Sequence, residues 1–398
     1  MPIKHQKTQL NNELSFLIAC CQTEPSEEDI SCIFSYLNAE HLDLNVLINL
    51  LNAHGILPLV YKTIKKIVED DSYLNATHLT LNDEILIELK AHYMSISQRN
   101  MLMSAELIRI MKLLEDNGIE ALAFKGPTLA QQVYGDITLR QFGDLDVLIK
   151  KEDIYKIDDL LQSHGYKRLL TLTPVQEKIW IKYAHDLGLI HSQKGTHFEM
   201  HWSFLDEDYP MQLNLDSYWN NLQKIEINGK KIPTFSSENL LVYLCIHGSK
   251  HLWERIGWIK DIDLLIKNYE IDWERINEIS KNTNFERMIY LGLLLSNELF
   301  DTPLPSDINT QIQRVPKIDI VSKFILESWN IPKSTFAKTS AKLKLFTKTK
   351  EQIIYLHKVI LKPSFNEYWF IDLPKGLYWV YYLVRPYLLL KKYFSKSI

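Results

Sequence analysis

The sequence predicts an α+β protein: a mixed sheet with helices packed on it, held between an N-terminal and a C-terminal helical region. Three observations lead there. Residues 10–115 read as helical. Between 116 and 235, short apolar runs alternate with helical segments, the pattern of a sheet covered by helices. From Ser236 onward the chain reads as helical again. The expected organisation is therefore 1–115 helical, 116–235 an α/β core and 236–398 helical.

In the first region Leu44, Val46, Leu47, Leu50 and Leu51 recur at roughly helical spacing. His54-Gly55 interrupts the pattern, which resumes over 56–67. A long helix is expected over 82–116, stopped at Asn117-Gly118. Residues 120–124 form a short apolar strand, and 127–134 a helix with Pro127 in its first turn, where the missing N–H does no harm. Residues 144–149 form a second strand. A helix over 152–164 is closed by Gly165. Residues 166–170 read as a strand and 173–183 as a helix. Residues 187–191 and 196–202 read as a hairpin around Gln193-Lys194-Gly195. Ser236-Ser237-Glu238 begins a helix running to 251, and another follows over 261–267. The stretch 376–394 mixes aromatic and basic residues. It reads as a terminal helix docked on the fold and broken at Pro386. The alternative uses are a membrane-surface helix or an acceptor-binding surface.

The bulk properties narrow the function classes. At 398 residues the chain has room for two or three domains. A net charge of −4 gives no overall electrostatic footprint for long nucleic acid. Cys20, Cys21, Cys32 and Cys245 suit neither a zinc site nor a disulfide framework, so reduced thiols in a cytoplasmic protein are expected. No stretch supplies about 20 uninterrupted apolar residues, and the N-terminus lacks a signal-peptide pattern.

The chemistry concentrates in FKGPTLAQQVYGDITLRQFGDLDVLIK, residues 124–150. In a strand, Asp144 and Asp146 face the same way and Leu145 the other. Two carboxylates removed from water repel unless a cation sits between them. Upstream, Lys125-Gly126-Pro127 is a turn into a helix, where backbone N–H groups can approach phosphate and Lys125 can neutralise charge. Together these point to Mg2+-dependent chemistry on a nucleotide, with Mn2+ as the alternative ion. Arg140 is a candidate for bidentate triphosphate binding; its structural alternative is a salt bridge to a nearby acid such as Asp136. Replacing either Asp144 or Asp146 by Asn is expected to leave the fold intact, since it removes like charge.

The ordered set of Lys125-Gly126, Tyr134, Asp136, Arg140, Asp144-Leu145-Asp146 and the acidic helix start at Glu152-Asp153 resembles a bacterial family usually called uncharacterised nucleotidyltransferases. That family lies within the superfamily that includes DNA polymerase beta, where most members have Gly-Gly or Gly-Ser in place of Lys-Gly. The resemblance runs from about residue 102 to 263. It implies transfer of a nucleoside monophosphate from an NTP to an acceptor. Asp144 and Asp146 would hold the metal, and a third carboxylate on a later strand would complete the site.

Glu199, in His197-Phe198-Glu199-Met200-His201-Trp202, is the best candidate for that carboxylate, both as metal ligand and as the base for the acceptor. Asp186 and Asp261 are the fallbacks. The resemblance extends to His247-Gly248-Ser249-Lys250-His251, from which His247 and Lys250 would close over the triphosphate. Trp253 and Trp258 read as packing residues. The implied acceptor is a small molecule, peptide or sugar, because relatives often sit in biosynthetic clusters for polysaccharides or peptide natural products. The rival readings are a toxin-like enzyme acting on tRNA and a catalytically dead nucleotide-binding scaffold.

Overall fold

The computed structural model describes residues 11–39, 42–69, 83–363, 367, 370–371, 373 and 375–395. The rest of the helical expectation for the N-terminal region, at 1–10, 40–41 and 70–82, lies outside the described residues. Among the described residues four short helices come first: Asn12–Cys20, Glu27–Leu37, Leu44–His54 and Leu57–Glu69. Ser26 and Asp29 cap the second reciprocally. The break read at His54-Gly55 is a left-handed cap, with Gly55 at φ +68°. The long helix then runs Asp83–Asp116.

The sheet follows the expected strands closely. β1 is Ala121–Ala123, β2 Asp144–Ile149, β3 Tyr166–Arg168, β4 Asp186–His191 and β5 His197–His201. Their spatial order is β1-β2-β5-β4-β3. β2 and β5 run parallel while the other pairs are antiparallel, so the sheet is mixed. The helix expected over 127–134 splits into Gly126–Leu129 and a π-helical turn, Ala130–Tyr134.

One element escaped the sequence reading. β6 (Leu222–Ile227) and β7 (Lys230–Phe235) form a separate hairpin. Its turn is Asn228-Gly229, with φ +47° and +75°. An Asn-Gly pair between alternating segments is the strongest local hairpin signal, and the sequence carried it.

The period-two alternation of β2 and β5 divides the interior. Leu145, Val147 and Ile149 of β2 and Phe198 and Met200 of β5 join one apolar cluster with Met103, Leu107, Ile110 and Leu114 of the long helix. The opposite face, with Asp144, Asp146, Glu199 and His201, looks toward a second cluster. That cluster unites the N-terminal helices, Phe124, Leu148 and the helices from Ser237 onward. The polar row of the sheet is thus covered by helical regions from both ends of the chain.

The C-terminal region is built on the helices Ser237–Lys250, Ile256–Asn268 and Glu286–Phe300, all richly buried. The last helix, Tyr381–Ser395, passes through Pro386, which corrects the expected break. It is tied down by Tyr381, whose hydroxyl donates to the Ile371 carbonyl, and by Arg385 paired with Glu367. Trp379, Leu383 and Tyr387 remain exposed. Among the described residues no single helix is long and apolar enough to cross a membrane.

Candidate active site

Strand register brings the carboxylates together. In the parallel β2–β5 pair, Asp146 lies opposite Glu199 and Asp144 opposite His197. Ligand atoms of Asp146, Glu199 and His201 all fall within 4.8 Å of one another. Asp186 on β4 lies across from His201 in the antiparallel β4–β5 pair.

The Lys125 turn is pressed onto β2. The Phe124 N–H donates to the Asp146 carbonyl, continuing the β1–β2 ladder into the turn. Gly126 has φ +55°, and a Cβ there would meet the Asp144 carbonyl oxygen at 2.9 Å, so glycine is required twice over. The Lys125 ammonium lies 2.5 Å from Asp146 Oδ1, with the Asp146 side chain fully buried. His201 Nε2 donates to the same oxygen at 3.0 Å and approaches Glu199 Oε2 at 3.4 Å.

These contacts separate the two aspartates electrostatically. Burial pushes the Asp146 carboxyl up, but Lys125 and His201 outweigh it and hold it well below the usual carboxylate range. Asp144 goes the other way: the Asp146 charge and burial raise it to about 6. Burial works against a charged His201, yet its bonds to Asp146 and Glu199 hold its pKa at about 9. His201 is therefore a cation near neutral pH. In that state it donates to Asp146 and offers no lone pair to a metal. The Glu199 carboxyl is lowered, chiefly by His201.

The residues fit a hard divalent cation. Asp146 Oδ2 is buried and lacks a hydrogen-bond partner among the described residues. Such orphan atoms are rare because they are costly. Carboxylate oxygens, not imidazole nitrogens, are the donors that Mg2+ prefers.

Arg140 occupies a different place from the one expected. Its guanidinium donates to both Asp261 oxygens at 3.0–3.1 Å, and the Tyr134 hydroxyl donates to Asp261 at 2.8 Å. Its ion-pair partner is Asp261, not Asp136, which instead accepts from Thr138 within its own loop. The Asn100 side-chain amide donates to the carbonyls of Ile137 and Arg140 from below. Tyr134 and Arg140 thus lock the loop between the Lys125 turn and β2 onto the helix Ile256–Asn268. Asp261 is fully buried and engaged, so it is not a spare metal ligand.

Of the two uses expected of Arg140, the salt bridge is the one the fold displays. Either Arg140→Ala or Asp261→Ala should destabilise the fold by about 3–5 kcal/mol, the cost of an uncompensated buried charge. Denaturant titration of both variants checks this. Full stability in both would show that the ion pair does not hold the loop.

The His247–Lys250 block is partly packing. Gly248 has no room for a side chain, because a Cβ would lie 2.5 Å from the Trp253 ring. Trp253 is fully buried. His247 stacks on Tyr243, with ring centroids 5.7 Å apart. Burial, with Lys125 and other cations nearby, pushes the His247 pKa well below its usual value. His247 is therefore neutral in the nucleotide-free protein.

Lys250 does face the polar row. Its ammonium donates to His185 Nε2 at 3.2 Å, while His185 Nδ1 donates to Asp206 at 2.6 Å. Burial lowers the Lys250 pKa. Asp206 is in turn paired with Lys358 at 2.7 Å, on the helix Thr349–Ile360. His185 and Asp206 were not singled out in the sequence. His185-Asp186 at the start of β4 was the one local signal, and the partner at 206 is visible only in the fold.

The profile of the family described as uncharacterised nucleotidyltransferase matches residues 40–301. The chain belongs to that family. It is a nucleotidyltransferase and an enzyme, as the motif order implied. No curated protein matches it. Among solved structures, the nucleotidyltransferase is similar to the antibiotic-resistance factor ANT(2'')-Ia, at 10% identity and a TM-score of 0.34, over 45% of this chain and 90% of that one. It is similar to the lincosamide antibiotic adenylyltransferase LnuA, at 18% identity and a TM-score of 0.29, over 40% and 94%. It is also similar to an antigenic nucleotidyltransferase-like protein from Paracoccidioides brasiliensis, at 16% identity and a TM-score of 0.32, over 56% and 91%.

Proposed function

We propose that this nucleotidyltransferase moves a nucleoside monophosphate from an NTP to a small-molecule, peptide or sugar acceptor in the cytoplasm, using Mg2+. In this reading the catalytic core spans 116–235 between helical regions 1–115 and 236–398. The observation that carries the proposal is the facing of Asp146 and Glu199 across parallel β2 and β5, with Asp144 beside them and one Asp146 oxygen unpaired.

Asp144, Asp146 and Glu199 would hold the divalent cation, which supplies neutralisation of triphosphate charge and polarisation of the α-phosphorus. The Lys125-Gly126 turn offers backbone N–H groups and an ammonium to the phosphates. Lys250, reaching across from the C-terminal region, supplies a second cation over the same row. Glu199 would accept the proton of the acceptor hydroxyl, with His201 beside its carboxylate. The acceptor oxygen attacks the α-phosphorus, the α–β phosphoanhydride bond breaks, and pyrophosphate leaves. The net charge of −4 favours a small acceptor over tRNA.

The test is incubation with each α-labelled NTP, Mg2+ and a cell extract fractionated by size. Label should pass to low-mass material with pyrophosphate release, and chelation should stop it. Label confined to tRNA would favour the toxin-like reading. Failure to bind any NTP with Mg2+ would sink the proposal.

A further inference from the structure

The Lys125 ammonium and a divalent cation would compete for one carboxylate. Lys125 is the first residue after the β1 ladder, and its backbone is fixed by the Phe124–Asp146 bond and by the close approach of Gly126 to Asp144. Its side chain is 15% exposed and ends 2.5 Å from Asp146 Oδ1. His201 occupies the same oxygen. Two cations, one at the end of a four-carbon stem and one on β5, thus neutralise Asp146 from within the protein.

Of these two, Lys125 is the one able to leave. Its four-carbon stem can swing, and it lies in the turn that the phosphates would approach. A divalent cation a few ångströms away would repel it, and a triphosphate would attract it.

We propose that Lys125 is an internal competitor of the metal. It neutralises Asp146 in the nucleotide-free enzyme and moves to the triphosphate when NTP arrives, so that metal and NTP bind with positive coupling. The inference rests on the nucleotidyltransferase reading of this site. Its physical sense is that a bare, buried carboxylate pair is costly, and that a lysine which can serve either Asp146 or phosphate removes that cost without closing the site. Removing Lys125 then has opposite effects on the two ligands.

The experiment titrates Mn2+ into the nucleotide-free full chain, read by electron paramagnetic resonance. It compares wild type with Lys125→Met, Lys125→Gln, Lys125→Arg and Asp146→Asn, with circular dichroism to verify folding. The same proteins are then titrated with the four fluorescent mant-ribonucleoside triphosphates. The uncharged variants should bind Mn2+ about tenfold or more tightly, the equivalent of one charge-assisted hydrogen bond removed from competition. They should bind nucleotide more weakly by a similar factor. Lys125→Arg, which keeps the charge, should stay near wild type in Mn2+ affinity.

A merely structural lysine would weaken both ligands together when removed, and that outcome overturns the proposal. Unchanged Mn2+ affinity in both uncharged variants, with Asp146→Asn still losing Mn2+, also overturns it while leaving the metal site standing. Asp146→Asn binding Mn2+ as well as wild type would instead defeat the underlying reading.

Discussion

Asp144→Asn should reduce nucleotide transfer by at least about a thousandfold, because a lost carboxylate ligand removes charge stabilisation where the reaction needs it most. The same substitution should stabilise the protein at neutral pH. Native Asp144 has its pKa raised to about 6, by Asp146 and by burial, from an ordinary 3.8. A carboxyl with a raised native pKa favours the protonated state when folded. Its ionisation therefore costs stability fully above pH 6 and not at all below about 3.8. Asn removes that cost, on the order of 3 kcal/mol at pH 8 and nothing near pH 3.5. Thermal unfolding at the two pH values checks the sign. The wild-type rate at limiting Mg2+ should fall below pH 6, and excess Mg2+ should shift that limb downward, since proton and metal compete for one group.

Asp146→Asn should be equally inactive but should behave oppositely in folding. Asp146 offsets both Lys125 and His201. Its loss leaves buried cations without their partner, a cost of about 3–5 kcal/mol. The expectation that both Asn variants would fold alike is corrected by this asymmetry. Two aspartates on one strand face are equivalent in pattern but not in surroundings. Near-normal turnover in either variant at saturating Mg2+ would show that the metal is held elsewhere.

Glu199→Gln should leave NTP binding largely in place, because Asp144 and Asp146 still serve the nucleotide-bound metal. The chemical step should slow by roughly two to four powers of ten, the usual loss when a general base is removed. Part of the rate should return at high pH, where the acceptor hydroxyl loses its proton more readily. Glu199 is half-buried and ion-paired with His201, so Gln keeps the shape and loses only the charge. Single-turnover kinetics alongside NTP titration separate the two effects. A variant that loses nucleotide affinity and keeps its chemical rate would make Glu199 a binding residue instead of a base.

Much of the core was legible because it rests on local rules. The alternation in Asp144-Leu145-Asp146 and in His197–His201 states which side chains share a face. Gly55 and Gly165 closed helices where the pattern said they would. The Asn228-Gly229 hairpin was equally local and was overlooked. Tyr134 and Arg140, by contrast, stood out only as members of the motif, and their joint use required knowing that Asp261, more than 120 residues later, would face them.

What the sequence determined by itself was the fold class, the family and the carboxylates that share a strand face, since periodicity and motif order are written within a few residues. What only the tertiary structure decided was each group's charge and partner. Asp146 is low because Lys125 and His201 both reach its buried oxygen, and Asp144 is high because the Asp146 charge and burial act on it. His247 is neutral because the fold buries it among cations, and Arg140 is an anchor because Asp261 meets it. Electrostatic state depends on distance and burial, and both are set by residues far apart in the chain.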